Sequence, residues 1–129
     1  MRRRKFIQIA AYSAAAISVP LLNGCSEKPI NAAIAQPQFL AHIFDAKTML
    51  ETGQAYLKQV PEENNKNKLA DLLINNSSVT STSGAKAVYT IMDKKVRQDF
   101  ETNKIAVVNG WILSITEARQ CALLSLMKS

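Results

Sequence analysis

Apolar residues recur at helical spacing in five stretches of this chain, and one stretch near the C-terminus breaks that rhythm. Phe39, Leu40, Ile43 and Phe44 fall at i, i+1, i+4 and i+5, which predicts one helical stripe over 37–46. Pro37 suits the first turn of such a helix. Thr48 and Glu51 have capping-box spacing, so a second helix is expected to start at Thr48. Met49, Tyr56, Leu57 and Val60 lie near one face of it. Gly53 either weakens this helix, by about 1 kcal/mol relative to Ala, or permits a close helix contact. Pro61-Glu62-Glu63 opens a further helical turn or separates the second helix from the next. Leu69, Leu72 and Leu73 then form an i, i+3, i+4 set that ends at Asn75. Asn75 to Gly84, NNSSVTSTSG, reads as a polar loop. Ala85 to Glu101 reads as a helix with Val88, Ile91, Met92, Val96 and Phe100 on its apolar side. Lys94, Lys95, Arg97 and Asp99 supply most of its polar side.

Lys104 to Leu113 differs. Ile105, Val107 and Val108 favour extended structure. Asn109-Gly110 is a tight-turn signal, because both residues tolerate positive φ. Ser114-Ile115-Thr116-Glu117 is a second capping box ahead of a good helix former, Ala118 to Leu126. The fold class expected is mainly α: a small bundle of four to five helices with room for a short β-hairpin near 104–113. Length allows one domain, here 37–129. Residues 25–36 contain Pro29, end before Pro37 and show no strong amphipathic period, so they read as a tether.

Charge changes the picture mainly at the N-terminus. The formal net charge is +6, from sixteen basic and ten acidic residues. Arg2, Arg3, Arg4 and Lys5 hold four of the basic ones, and every acidic residue lies at or after Glu27. A chain cut before Cys25 keeps twelve basic and ten acidic residues, a net of +2. The basic excess thus belongs to the first few residues, and a basic-patch argument for nucleic acid fails. Met1 to Lys5 form a positive start, Phe6 to Leu22 an apolar stretch, and Asn23-Gly24 a small, polar end. That is the layout of a signal peptide over 1–24. Gln8, Ser13, Ser18 and Pro20 dilute the apolar stretch, which fits a cleaved segment better than a retained span.

Arg3-Arg4-Lys5-Phe6-Ile7-Gln8 resembles the twin-arginine export motif, with Arg3, Arg4 and Phe6 at its defining positions. Arg2 and Gln8 depart from the residues common there. Leu22-Asn23-Gly24-Cys25 resembles a bacterial lipobox, although Asn23 is an uncommon choice. The resemblance implies that Cys25 accepts a diacylglycerol thioether, and two or more acyl chains hold a protein stably on a membrane. It further implies the twin-arginine (Tat) translocase and the lipid bilayer as partners, and a location facing the periplasm on the inner or outer membrane. Acylation would leave Cys121 as a single thiol.

Candidate chemistry in the remainder is sparse. His42 is the only histidine. With Asp45 it could make a helix-face pair, but two ligands make a poor metal site, and a structural role is the simpler reading. Cys121, flanked by Ala122, Leu123 and Leu124, reads as a small core residue. The carboxylates Glu62-Glu63 and Asp99 with Glu101 read as solvated. No Gly-x-Ser-x-Gly elbow, phosphate loop, Cys-x-x-Cys or haem-attachment motif occurs. Neither a catalytic residue, a metal ligand nor a cofactor is therefore assigned. Trp111 to Arg119, WILSITEAR, is the most individual stretch. It reads either as a buried Trp, a turn and a capped helix, or as a docking surface anchored by Trp111 and Arg119.

The signal, the Phe39-Leu40 helix start and the layout up to the C-terminal helix are similar to the small subunits of membrane-bound flavin dehydrogenases for gluconate and sorbitol. That resemblance implies an accessory subunit, not an enzyme on its own, supporting export or assembly of a larger periplasmic oxidoreductase. Its partner would be a large flavin-dependent dehydrogenase subunit that carries the catalytic residues. The alternative expectation is a stand-alone envelope lipoprotein acting as a binding or structural module.

Overall fold

A computed structural model describes residues 29–128. The export residues Arg3, Arg4 and Phe6 and the lipidation residue Cys25 lie outside the described residues. Within them the fold is mainly helical, with four α-helices and one antiparallel hairpin: α1 Ala46–Gln59, α2 Lys66–Ile74, α3 Ala85–Glu101, β1 Ile105–Val108, β2 Trp111–Ser114 and α4 Ile115–Lys128. No helix among the described residues is long and apolar enough to cross a membrane.

The C-terminal helix α4 is the centre of the bundle. Thr116, Glu117, Ala118, Gln120, Cys121, Ala122, Leu123 and Ser125 are all buried, so burial runs nearly round its whole circumference. A helix enclosed on all sides must satisfy every polar group it carries. Glu117 and Ser114 do so through the expected capping box. The Ser114 N–H donates to Glu117 Oε1 at 3.1 Å, and the Glu117 N–H donates to Ser114 Oγ at 3.0 Å. Gln120 donates to the Ile34 carbonyl at 3.0 Å.

Small residues on α4 let α1 approach closely. A Cβ built on Gly53 would run into the Cys121 carbonyl oxygen and lie 2.9 Å from Ala122 N. Gly53 is therefore the close-contact glycine, not merely a weak point in α1. Cys121 is buried beside Met49, with Sγ 3.6 Å from the Met49 sulfur. Burial, with the nearby Glu117 charge, pushes its thiol up to about 12.

The stretch from Asn31 to Phe44 is a strap and departs from the expected single helix over 37–46. It contains two short 3-10 turns, Ala32–Ala35 and Leu40–His42. Leu40 and Phe44 are buried, whereas Phe39 and Ile43 are exposed. The strap starts inside the stretch read as tether, since Ile34 and Ala35 belong to the core. Asn31 fixes its beginning, donating to the Thr80 and Ser83 carbonyls at 3.0 and 2.9 Å. Helix α1 starts earlier than the Thr48 box predicts. Asp45 caps it, accepting from the Thr48 N–H at 2.7 Å, and so takes the position that would extend the strap's helix.

Helix α3 has the predicted bounds but a rotated face. Asp99 is buried and Phe100 is 48% exposed. From Val88 to Asp99 is roughly 20° past a whole number of turns at about 100° per residue, whereas Phe100 is about 120° away. The buried row is Val88, Met92 and Asp99.

Candidate functional site

The hairpin supplies the apolar surface that the fold does not cover. Asn109 and Gly110 take φ of 51° and 84°, as a two-residue turn requires. The register pairs Val108 with Trp111, Val107 with Ile112, Ala106 with Leu113 and Ile105 with Ser114. Side chains alternate between the two faces of a strand. One face holds Val108 and Leu113 in the core. The other presents Ile105, Val107 and Ile112 to solvent, at 39%, 56% and 64% exposure. Gln59 of α1 steadies the unit by donating to the Val107 carbonyl at 3.0 Å. Trp111 is not the buried tryptophan of the structural reading. It is 43% exposed, with its ring packed on Phe44 at 4.8 Å between centroids, tilted by 60°. Two hydrophobic bodies, strap and hairpin, are thus pinned together beside the open face.

Arg119 is placed differently. Its Nε and Nη2 donate to the two Glu63 carboxylate oxygens, each at 3.1 Å. The Tyr56 hydroxyl donates to Glu63 Oε1 at 2.9 Å. Glu63 sits in a 3-10 turn, Pro61–Glu63, between α1 and α2, and is buried rather than solvated. Burial pushes the Glu63 carboxyl up, but the bonds from Arg119 and Tyr56 outweigh it and hold its pKa below the ordinary carboxylate value. Burial and the Glu63 contact push the Tyr56 phenol up to about 12. Burial disfavours the Arg119 charge, yet Glu63 more than compensates and raises its pKa. The fork is bidentate, the geometry for which guanidinium suits a carboxylate best. Arg119 therefore ties α4 to the α1–α2 turn, while Trp111 meets the strap. The two candidate anchors engage different partners.

The Asp99 carboxylate is likewise structural. Asp99 Oδ2 accepts the Thr116 N–H at 2.8 Å and closes the first turn of α4. Both Asp99 and Glu63 were expected in solvent, and both are buried acceptors. Their partners lie 17 and 56 residues away, outside the reach of local patterning. His42 and Asp45 are exposed, and the Asp45 carboxylate is engaged as the α1 cap. Its pKa is lowered, first by the Thr48 backbone bond. Among the described residues, no group of three or more His, Cys, Asp or Glu side chains could hold a metal ion. The outward hairpin row was legible in part, since Ile105 and Val107 alternate, but only the register shows that Ile112 completes it.

No protein family, no characterised protein and no solved structure matches the chain.

Proposed function

We propose that this protein is an exported, membrane-tethered accessory subunit that supports the export or assembly of a larger periplasmic oxidoreductase. The observation that carries the docking part of this reading is the outward aliphatic row Ile105, Val107 and Ile112, with the half-exposed Trp111 on the opposite face of the same hairpin, packed on Phe44. Apolar groups grouped on one exposed face are the usual core of an interface. The leader supports the compartment. Its paired Arg3-Arg4 suits a route used by proteins that fold before crossing, often bound to a cofactor-carrying partner. Cys25 then provides the tether, and the domain provides the surface.

The deciding experiment is purification of the native lipoprotein from membranes under mild detergent. Recovery with a flavoprotein, above all one without its own leader, supports the reading. A stable chain recovered alone and monomeric overturns it in favour of a stand-alone lipoprotein. The tether has a separate check. Cys25→Ser should abolish acyl labelling, and replacing Arg3 and Arg4 by Lys should block export. Persistent labelling or undiminished export would sink the respective assignment.

A further inference from the structure

A groove of about 500 Å³ opens between the C-terminal ends of α2 and α3 and the first turns of α4. That size falls within the range of small-molecule sites. Lys95, Lys104 and Arg119 line it, together with Asp99, Glu101 and the hydroxyl-bearing Thr102 and Thr116. Two of its charges are accounted for within the fold: Glu63 holds Arg119 by Nε and Nη2, and Asp99 accepts the Thr116 N–H. Glu101 is exposed at the rim.

Lys95 is the anomaly. Its side chain is half-buried but its ammonium lies at the surface, and the partner it holds is a main-chain oxygen, the Asn75 carbonyl at 2.8 Å. Among the described residues the ion pairs are Arg97 with Asp93 and Arg119 with Glu63, so neither Lys95 nor Lys104 is in one. Burial lowers the Lys95 pKa, and the Arg119 and Lys104 charges lower it further against the pull of Asp99. An anion seated in the groove would reverse that balance.

We propose that this groove binds a small oxyanion, a phosphate or carboxylate group, held by Lys95 and Lys104 with Arg119 fixed at its wall. Lys95 is anchored by Asn75 and Arg119 by Glu63, so both cations stand ready before the ligand arrives. Thr116 lines the groove as well, and the Thr102 hydroxyl, which donates to the Gln98 carbonyl at 2.8 Å, can only accept from the body that carries the anion. The chemistry is the same for a soluble phosphate ester and for a lipid headgroup.

The test uses the full chain in detergent, with inorganic phosphate as probe and sodium chloride at matched ionic strength as control. Saturable amide shifts around Thr102 and Thr116 are expected in the millimolar range. Lys95→Met should weaken binding about tenfold, and Lys95→Arg should restore most of it. In wild type the Lys95 side-chain pKa, followed by NMR, should rise on phosphate addition, because the anion favours the charged form. Co-sedimentation of the unacylated Cys25→Ser chain with phosphatidylglycerol vesicles beyond that with phosphatidylcholine vesicles, the excess being lost when Lys95→Met is added, would assign the anion to a headgroup. Phosphate binding without vesicle binding would assign it to a soluble ligand. Shifts no larger than those with chloride and no Lys95-dependent vesicle binding, or equal phosphate binding in Lys95→Met, would overturn the proposal.

Discussion

Two regions of this domain invert the usual placement of side chains. Around Glu63, an ion pair and a phenol lie inside, bonded to one another. On the hairpin, three aliphatic side chains lie outside. Buried charge is costly unless paired, and here each group has its partner, so the inner cluster is explained by the fold. Exposed aliphatic groups gain nothing from this fold. The contrast separates residues that hold the domain together from residues left for something else. It also moves Arg119 from the second group to the first.

The sharpest way to break the comparison is Arg119→Met. It leaves Glu63 inside without its cation, and a loss of about 3 kcal/mol in denaturant unfolding is expected, the low end for a broken buried pair. A loss below about 0.5 kcal/mol would show that the pair is effectively in water. The second probe is Glu63→Gln, read against pH. The folded-state pKa of Glu63 is lowered, so its contribution is complete above the unfolded value of about 4.3 and is lost as pH falls through the folded value. The stability gap between wild type and Glu63→Gln should therefore be widest near neutrality, at about 2 kcal/mol, and close in acid. A gap independent of pH would assign the effect to shape, not charge. The smallest expected change in stability is at the hairpin. Ile112→Asp should shift unfolding by no more than about 0.5 kcal/mol while abolishing recovery of the partner. A large loss of stability would place Ile112 with the fold after all.

Local patterns were legible where a few neighbouring residues decide the structure. Ser114 and Glu117 satisfy each other within one turn, and Asn109-Gly110 needs no distant partner to bend. Leu69 and Leu73 lie in the core as their spacing predicts. The pattern misled where two elements compete for one residue. Asp45 could continue the strap or cap α1, and the cap wins because it satisfies the Thr48 N–H. It misled again on α3, where Asp99 outranks Phe100 for the inner position. A main-chain donor at the start of α4 needs a carboxylate there, and hydropathy carries no trace of that demand. Glu63 was misplaced for the same reason, since its cation comes from the last helix. The docking stretch was legible as a stretch, but its working row runs through Ile105, Val107 and Ile112.

The contact between Gly53 and the Cys121 carbonyl has a kinetic consequence. The thiol beside that contact is sealed, and its high pKa leaves almost no thiolate near neutrality. Alkylation must wait until α1 and α4 part. In a Cys25→Ser chain, the rate at which Cys121 is alkylated becomes a clock for that parting, built into the native sequence. Widening the seam at Gly53 would make the clock run faster.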